Sequence, residues 1–119
     1  PRRVAFAVRK LAPENMRVEA QIVALLHDTV EDTGVTLDYL ARYFSVSIVD
    51  AVDALTKRKG ETLEQSIARV RANELARLVK HADIADNTDP ERTALLDEET
   101  RERLAKKYAK SLTLLSLGE

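Results

Sequence analysis

The sequence predicts an all-α fold, a single helical bundle of about seven helices. Three observations carry this reading. Apolar residues recur at three- and four-residue spacing along almost the whole chain. No stretch shows period-two alternation bounded by turn residues. Only 3 Gly and 3 Pro occur in 119 residues, which leaves few breaks between long helices. A chain of this length buries roughly two-thirds of its unfolded surface, enough for one core.

The elements follow in order. Val4, Phe6, Val8 and Leu11 define a first helix, with Ala5, Ala7 and Ala12 as close-packing points and Pro13 as its breaker. Pro13-Glu14-Asn15 starts a second helix whose apolar stripe is Val18, Ile22, Leu25 and Leu26. It ends near Asp32-Thr33-Gly34, where glycine suits a left-handed closing residue. Thr36 is expected to cap a helix from Leu37 to Phe44, and Ser47 one from Ile48 to Leu55. Lys57-Arg58-Lys59-Gly60 is a loop. Thr62 and Gln65 have capping-box spacing at the start of the next helix. Another follows with Leu75, Leu78, Val79 and Ala82, stopped at Asp89-Pro90. The last runs from about Asp97 to Leu117, with Asp97/Arg101, Glu99/Arg103 and Glu102/Lys106 as acid-first pairs four apart.

Composition excludes several classes. Hydrophobic residues at 45% and charged residues at 33% exclude an extended disordered chain. A net charge of -1 gives no reason to expect a polymeric nucleic-acid partner. The absence of Cys removes disulfides, thiolate metal sites and a Cys nucleophile, and fits a reducing compartment. The apolar runs, Ile22 to Leu26 among the longest, are far short of a membrane span, and no signal-peptide pattern occurs. The expectation is a cytoplasmic protein without a membrane partner.

Chemistry concentrates in two segments. In His27-Asp28-Thr29-Val30-Glu31-Asp32, three- and four-residue spacings put four metal- or proton-binding groups on one broad helical stripe. Its three carboxylates sit at a helix C-terminus, where the dipole opposes each by about 0.3–1 kcal/mol. A bound cation would relieve that penalty; a solvated acidic helix end is the alternative. In the second segment, Lys80 to Asn87, Asp83 lies between Ala82 and Ala85 on an otherwise apolar helix. Small neighbours would let another helix approach and place Asp83 inside, where it needs a partner. That partner is either a metal shared with His27 and Asp28, or an arginine in the core.

His27-Asp28 with Glu31-Asp32, and the later Lys80-His81-Ala82-Asp83 leading to Asn87, resemble the HD-domain metal-dependent phosphohydrolases. The resemblance is greatest to the RelA/SpoT-type alarmone hydrolases of the stringent response and their small single-domain relatives. It covers about Val4 to Asn87 and makes residues 1–119 one HD-type domain lacking its extreme N-terminal segment. It implies one divalent ion, Mn²⁺ first and Fe²⁺, Zn²⁺ or Mg²⁺ as alternatives, held by His27, Asp28 and Asp83. Mixed nitrogen and oxygen ligands suit such a borderline metal better than Ca²⁺. Glu31 and Asp32 would activate or place the attacking water, and Asn87 would lie beside the nucleotide.

The family's first metal-ligating His precedes these motifs, commonly in a His-Pro step. This chain opens at Pro1 and has no His before His27. The expectation is that this ligand lies just ahead of Pro1; a real absence would leave a weaker, three-ligand site. His81 is read as structural, or as a residue supporting the metal ligands from behind. The family's synthetase and regulatory domains are not found in the sequence.

The implied activity is hydrolysis of guanosine 3′,5′-bispyrophosphate at its 3′ pyrophosphate. Positive groups must face that leaving group. Lys80 is one candidate; Lys57, Arg58 and Lys59 are others, unless they are simply a solvated loop. Tyr108 is a candidate for the base or sugar, or else a helix-packing residue. The alternatives in function are an HD phosphohydrolase acting on other nucleotides and a non-catalytic HD-fold binding domain. A homo-oligomer is left open.

Overall fold

Side chains cap most of the helices, and these caps set the boundaries. The computed structural model describes residues 3–5 and 14–117, and all regular structure among them is helical. Residues 3–5 form a helical turn; the rest of the expected first helix lies outside the described residues. A 3-10 turn, Glu14–Met16, leads into α1, Arg17–Thr33, which closes on Gly34 at φ 73°. α2 is Leu37–Leu40, α3 Val46–Leu55, α4 Leu63–Arg71 and α5 Glu74–Asn87. α6, Pro90–Thr93, and α7, Glu98–Leu115, complete the order.

Thr36 caps α2 as expected, its hydroxyl accepting from the Tyr39 amide at 3.1 Å. α2 nevertheless stops four residues short of Phe44. The chain tightens there into three-residue turns, Arg42 N to Tyr39 O (3.2 Å) and Tyr43 N to Leu40 O (3.0 Å). The break lets Ser45 adopt an extended backbone and cap α3 through the Ile48 amide. Ser45 thus takes the role expected of Ser47, whose hydroxyl instead donates to Glu19 at 3.4 Å. The capping box of α4 is complete: Thr62 accepts from Gln65 N at 3.2 Å, and Gln65 accepts from Thr62 N at 2.9 Å. Asn73 caps α5, and Asp97 caps α7. Asp89-Pro90 stops α5 and also starts α6, with Asp89 as its cap and Pro at its first position.

α5 is the central helix and packs against α1, α3, α4 and α7. Its Leu75, Ala76, Val79, Ala82 and Ile84 are all buried. α1 packs on α3 and α5 through Ala20, Val23 and Ala24, not through the stripe expected from its larger residues. Val18 and Leu25 are exposed, while Ile22 and Leu26 flank the core. Alanines win because Ala51 of α3 and Ala76 and Ala82 of α5 face the same core, and small residues let the backbones approach. Val23, Val52, Ile67, Val79 and Leu115 fill the space between, each stabilising by about 1.5–3 kcal/mol. No helix among the described residues is long and apolar enough to cross a membrane.

One polar clasp ties α3 to α4. Arg69 donates from Nε to Ala54 O (3.1 Å) and from Nη2 to Thr56 O (2.8 Å), satisfying carbonyls at the end of α3. The same guanidinium grips both carboxylate oxygens of Glu61. Glu61 Oε1 also accepts from the Arg58 amide at 2.8 Å. Chiefly through the Arg69 hydrogen bonds, then that amide, the Glu61 carboxyl is held down at about 2.

Candidate functional site

α1 delivers its acidic group in its last turns, and α5 delivers the second segment beside it. The apolar side of α1 faces α5, so the stripe carrying His27 and Asp28 comes to lie at the edge of their contact. Thr29 and Thr33 hydroxyls donate back to Leu25 O (3.1 Å) and Thr29 O (2.6 Å), holding the helix end closed despite its three carboxylates. The His27 ring lies between two of these. Its Nε2 donates to Glu31 Oε1 at 3.1 Å, and its Nδ1 stands 3.7 Å from Asp28 Oδ1. Glu31 and Asp32 are both exposed.

Asp28 of α1 and Asp83 of α5 line one cavity of about 560 Å³, together with Asn87 and Asp86. Residues that are 55 apart in the chain thus share one concave surface. Asp83 is half-buried rather than enclosed. Its Oδ1 accepts from Asn87 Nδ2 at 3.0 Å, and its Oδ2 lies 3.7 Å from Lys80 Nζ. One helical turn therefore links Lys80, Asp83 and Asn87. Tyr108 of α7 stands nearby, lining a smaller cavity of about 90 Å³ that also includes Asn87. Burial pushes its phenol up from its ordinary value, and the Asp83 carboxylate adds to this.

His81 lines a different cavity with Leu78, Ile84 and Leu112, on another face of α5. Lys57, Arg58 and Lys59 are exposed, and Arg58 Nη2 pairs with Asp53 at 3.2 Å.

The buried carboxylate that the sequence placed at position 83 is at Asp86. Its side chain is 8% exposed. Arg3 Nε donates to its Oδ1 at 2.8 Å, and Arg92 Nη1 to its Oδ2 at 2.6 Å. Both arginines also line the cavity with Asp28 and Asp83. Among the buried positions of α5, 75, 79, 82 and 86 follow one helical stripe. Asp86 thus continues the helical stripe that Leu75, Val79 and Ala82 begin, a spacing visible in the sequence.

An imidazole and two carboxylates have the donor chemistry of a borderline divalent cation. Asp28 and Asp83 open onto one space, with His27 beside Asp28. Among the described residues, however, no three such groups stand close enough together to hold an ion. Their chemistry fits a metal; their spacing does not close a site.

No family model matches the chain. It is similar to a protein of Mycobacterium leprae described as a "Probable GTP pyrophosphokinase", 34% identical over 110 residues. The match covers 80% of this chain and 14% of that protein, so the chain spans about one-seventh of the relative's length. This supports a RelA/SpoT-related ancestry, and does not single out the hydrolase branch.

Proposed function

We propose that this chain is a RelA/SpoT-type HD phosphohydrolase domain, acting on guanosine 3′,5′-bispyrophosphate at its 3′ pyrophosphate. The observation that supports it best is the shared cavity of Asp28 and Asp83, with Asn87 on its wall. The relative's printed name, a GTP pyrophosphokinase, belongs to a protein of which the match covers 14%. Transfer between two nucleotides needs both held at once. A cavity of about 560 Å³ has the size of a site for one small ligand. Pyrophosphoryl transfer is the second reading, favoured by the relative's name.

His27, Asp28 and Asp83 would hold a divalent cation, Mn²⁺ in the first instance. Such an ion supplies Lewis acidity toward a phosphoryl oxygen. Glu31, coupled to His27 through Nε2, accepts the proton of the attacking water, with Asp32 as the other candidate. Asn87 and Lys80 orient the nucleotide, and Tyr108 flanks its sugar or base.

The test is chromatography of products after incubation with Mn²⁺ and the alarmone, ordinary NTPs and dNTPs, or ATP plus GTP. GDP and pyrophosphate from the alarmone are expected. Phosphate or triphosphate from ordinary nucleotides, with the alarmone intact, would move the chain to a different HD phosphohydrolase. A pyrophosphorylated guanosine nucleotide from ATP and GTP would establish the second reading. Glu31→Gln is expected to retain Mn²⁺ and lose about a hundredfold or more in turnover. Asp83→Ala is expected to lose Mn²⁺. Equal metal loss in both would make Glu31 a ligand.

A further inference from the structure

We propose that Asp86 is a positioning residue that holds Arg3 and Arg92 at the Asp28–Asp83 cavity, where the two guanidiniums form a subsite for a pyrophosphate group. The inference deepens the reading of this same cavity and takes its substrate class from it. It also supplies the positive groups that the sequence sought at Lys57 to Lys59, which lie in an exposed loop.

A carboxylate buried as deeply as Asp86 needs a partner, and one arginine would suffice. Asp86 has two, one on each oxygen. They come from different parts of the chain, Arg3 being 83 residues away and Arg92 lying just after α5. The triad therefore carries one surplus positive charge. Each arginine engages Asp86 through a single nitrogen, and their side chains are 58% and 45% exposed. A guanidinium has five N–H donors in a planar fork. The remaining donors of both stay available to a ligand in the cavity that the two residues line. Planar forks of this kind match phosphate oxygens in pairs.

The aim of Arg92 is set locally. Asp89 accepts from the Glu91 amide at 3.0 Å and Pro90 occupies the first position of α6, so the turn that carries Arg92 has a fixed start. The cavity is therefore bipolar. Its acidic side is Asp28 and Asp83, the latter already offset by Lys80 and Asn87. Its basic side is Arg3 and Arg92. A ligand with a reacting phosphorus toward the acids and a charged phosphate tail toward the arginines matches that polarity.

The test is equilibrium binding of inorganic pyrophosphate to the chain, by calorimetry, in EDTA and again with Mn²⁺. Arg92→Ala and Arg3→Ala are each expected to weaken binding about tenfold, with Arg92→Lys intermediate and Arg42→Ala, which does not line the cavity, unchanged. Asp86→Asn separates positioning from charge alone. Removing a negative charge would tighten anion binding if electrostatics were all; loss of positioning weakens it. Weaker pyrophosphate binding in Asp86→Asn, with unchanged helical content, supports the proposal, and tighter binding overturns the role of Asp86. If that variant fails to fold, Arg92→Ala decides, since Arg3 still partners Asp86. Equal affinity of Arg92→Ala and the parent, or no pyrophosphate binding by the parent in either buffer, overturns the subsite. The readout needs no turnover. An arginine-dependent affinity in a chain that leaves the alarmone intact would keep the subsite and reject the hydrolase reading.

Discussion

Gly34 closes the helix that carries His27, Asp28, Glu31 and Asp32, with φ 73° and nothing within 4 Å of a Cβ built on it. The cost of Gly34→Ala is therefore conformational only, about 1–2 kcal/mol. Urea denaturation should show a lower midpoint with an unchanged slope, and an altered slope would mean that the unfolded or native state itself had changed. Gly34 was legible because the acidic helix end, the Thr33-Gly34 step and the next cap at Thr36 all point to one boundary. Asp83 and Asp86 were less so. Alanine neighbours suggested burial at 83, but neighbours one and two residues away lie on other faces of a helix. The residues that decide burial are three and four away, and these bury 86. Arg3 and Arg92 could not be paired with Asp86 from spacing, because an ion pair across 83 residues exists only once the helices have docked.

At the scale of the element, caps were read more reliably than faces. Thr36 and Thr62 hold the amides that their positions promised. A cap is a local hydrogen bond within three residues, so the local sequence contains it. Ser45 and Ser47 compete for one helix start, and only the tight turn after α2 decides between them. The buried face of α1 is a tertiary choice, since its alanines matter only opposite the alanines of α3 and α5. Because the box at α4 is complete in both directions, Thr62→Ala leaves the Gln65 amide unpartnered and is expected to cost about 1 kcal/mol. Thermal denaturation of Thr62→Ala and Thr62→Ser checks this. Serine should recover most of the loss, and equal loss in both would show that the methyl group, not the hydroxyl, is what matters.

For the whole molecule, the all-α architecture was legible from periodicity and the scarcity of turn residues, while the clasp between α3 and α4 was not. It joins Arg69 to Glu61 and to two carbonyls at the end of α3, which no pattern in the sequence marks. Glu61 falls from an ordinary carboxylate value of 4.5 to about 2 in the fold. A carboxyl with a lowered folded value stabilises fully above its unfolded value and loses that contribution as pH falls through the folded one. Melting temperatures of the parent and Glu61→Gln should therefore differ most above about pH 4.5 and converge toward pH 2. A difference that is constant across that range would assign the effect to packing. The clasp also has a kinetic meaning. Lys57-Arg58-Lys59 offers trypsin three successive cleavage points on an exposed loop. To be cut, that loop must be drawn out into an extended strand in the protease cleft. Arg69 holds the chain on both sides of it, at Ala54 and Thr56 before and at Glu61 after. The loop is thus visible to a protease yet shut, and the rate of nicking there counts the openings of the clasp.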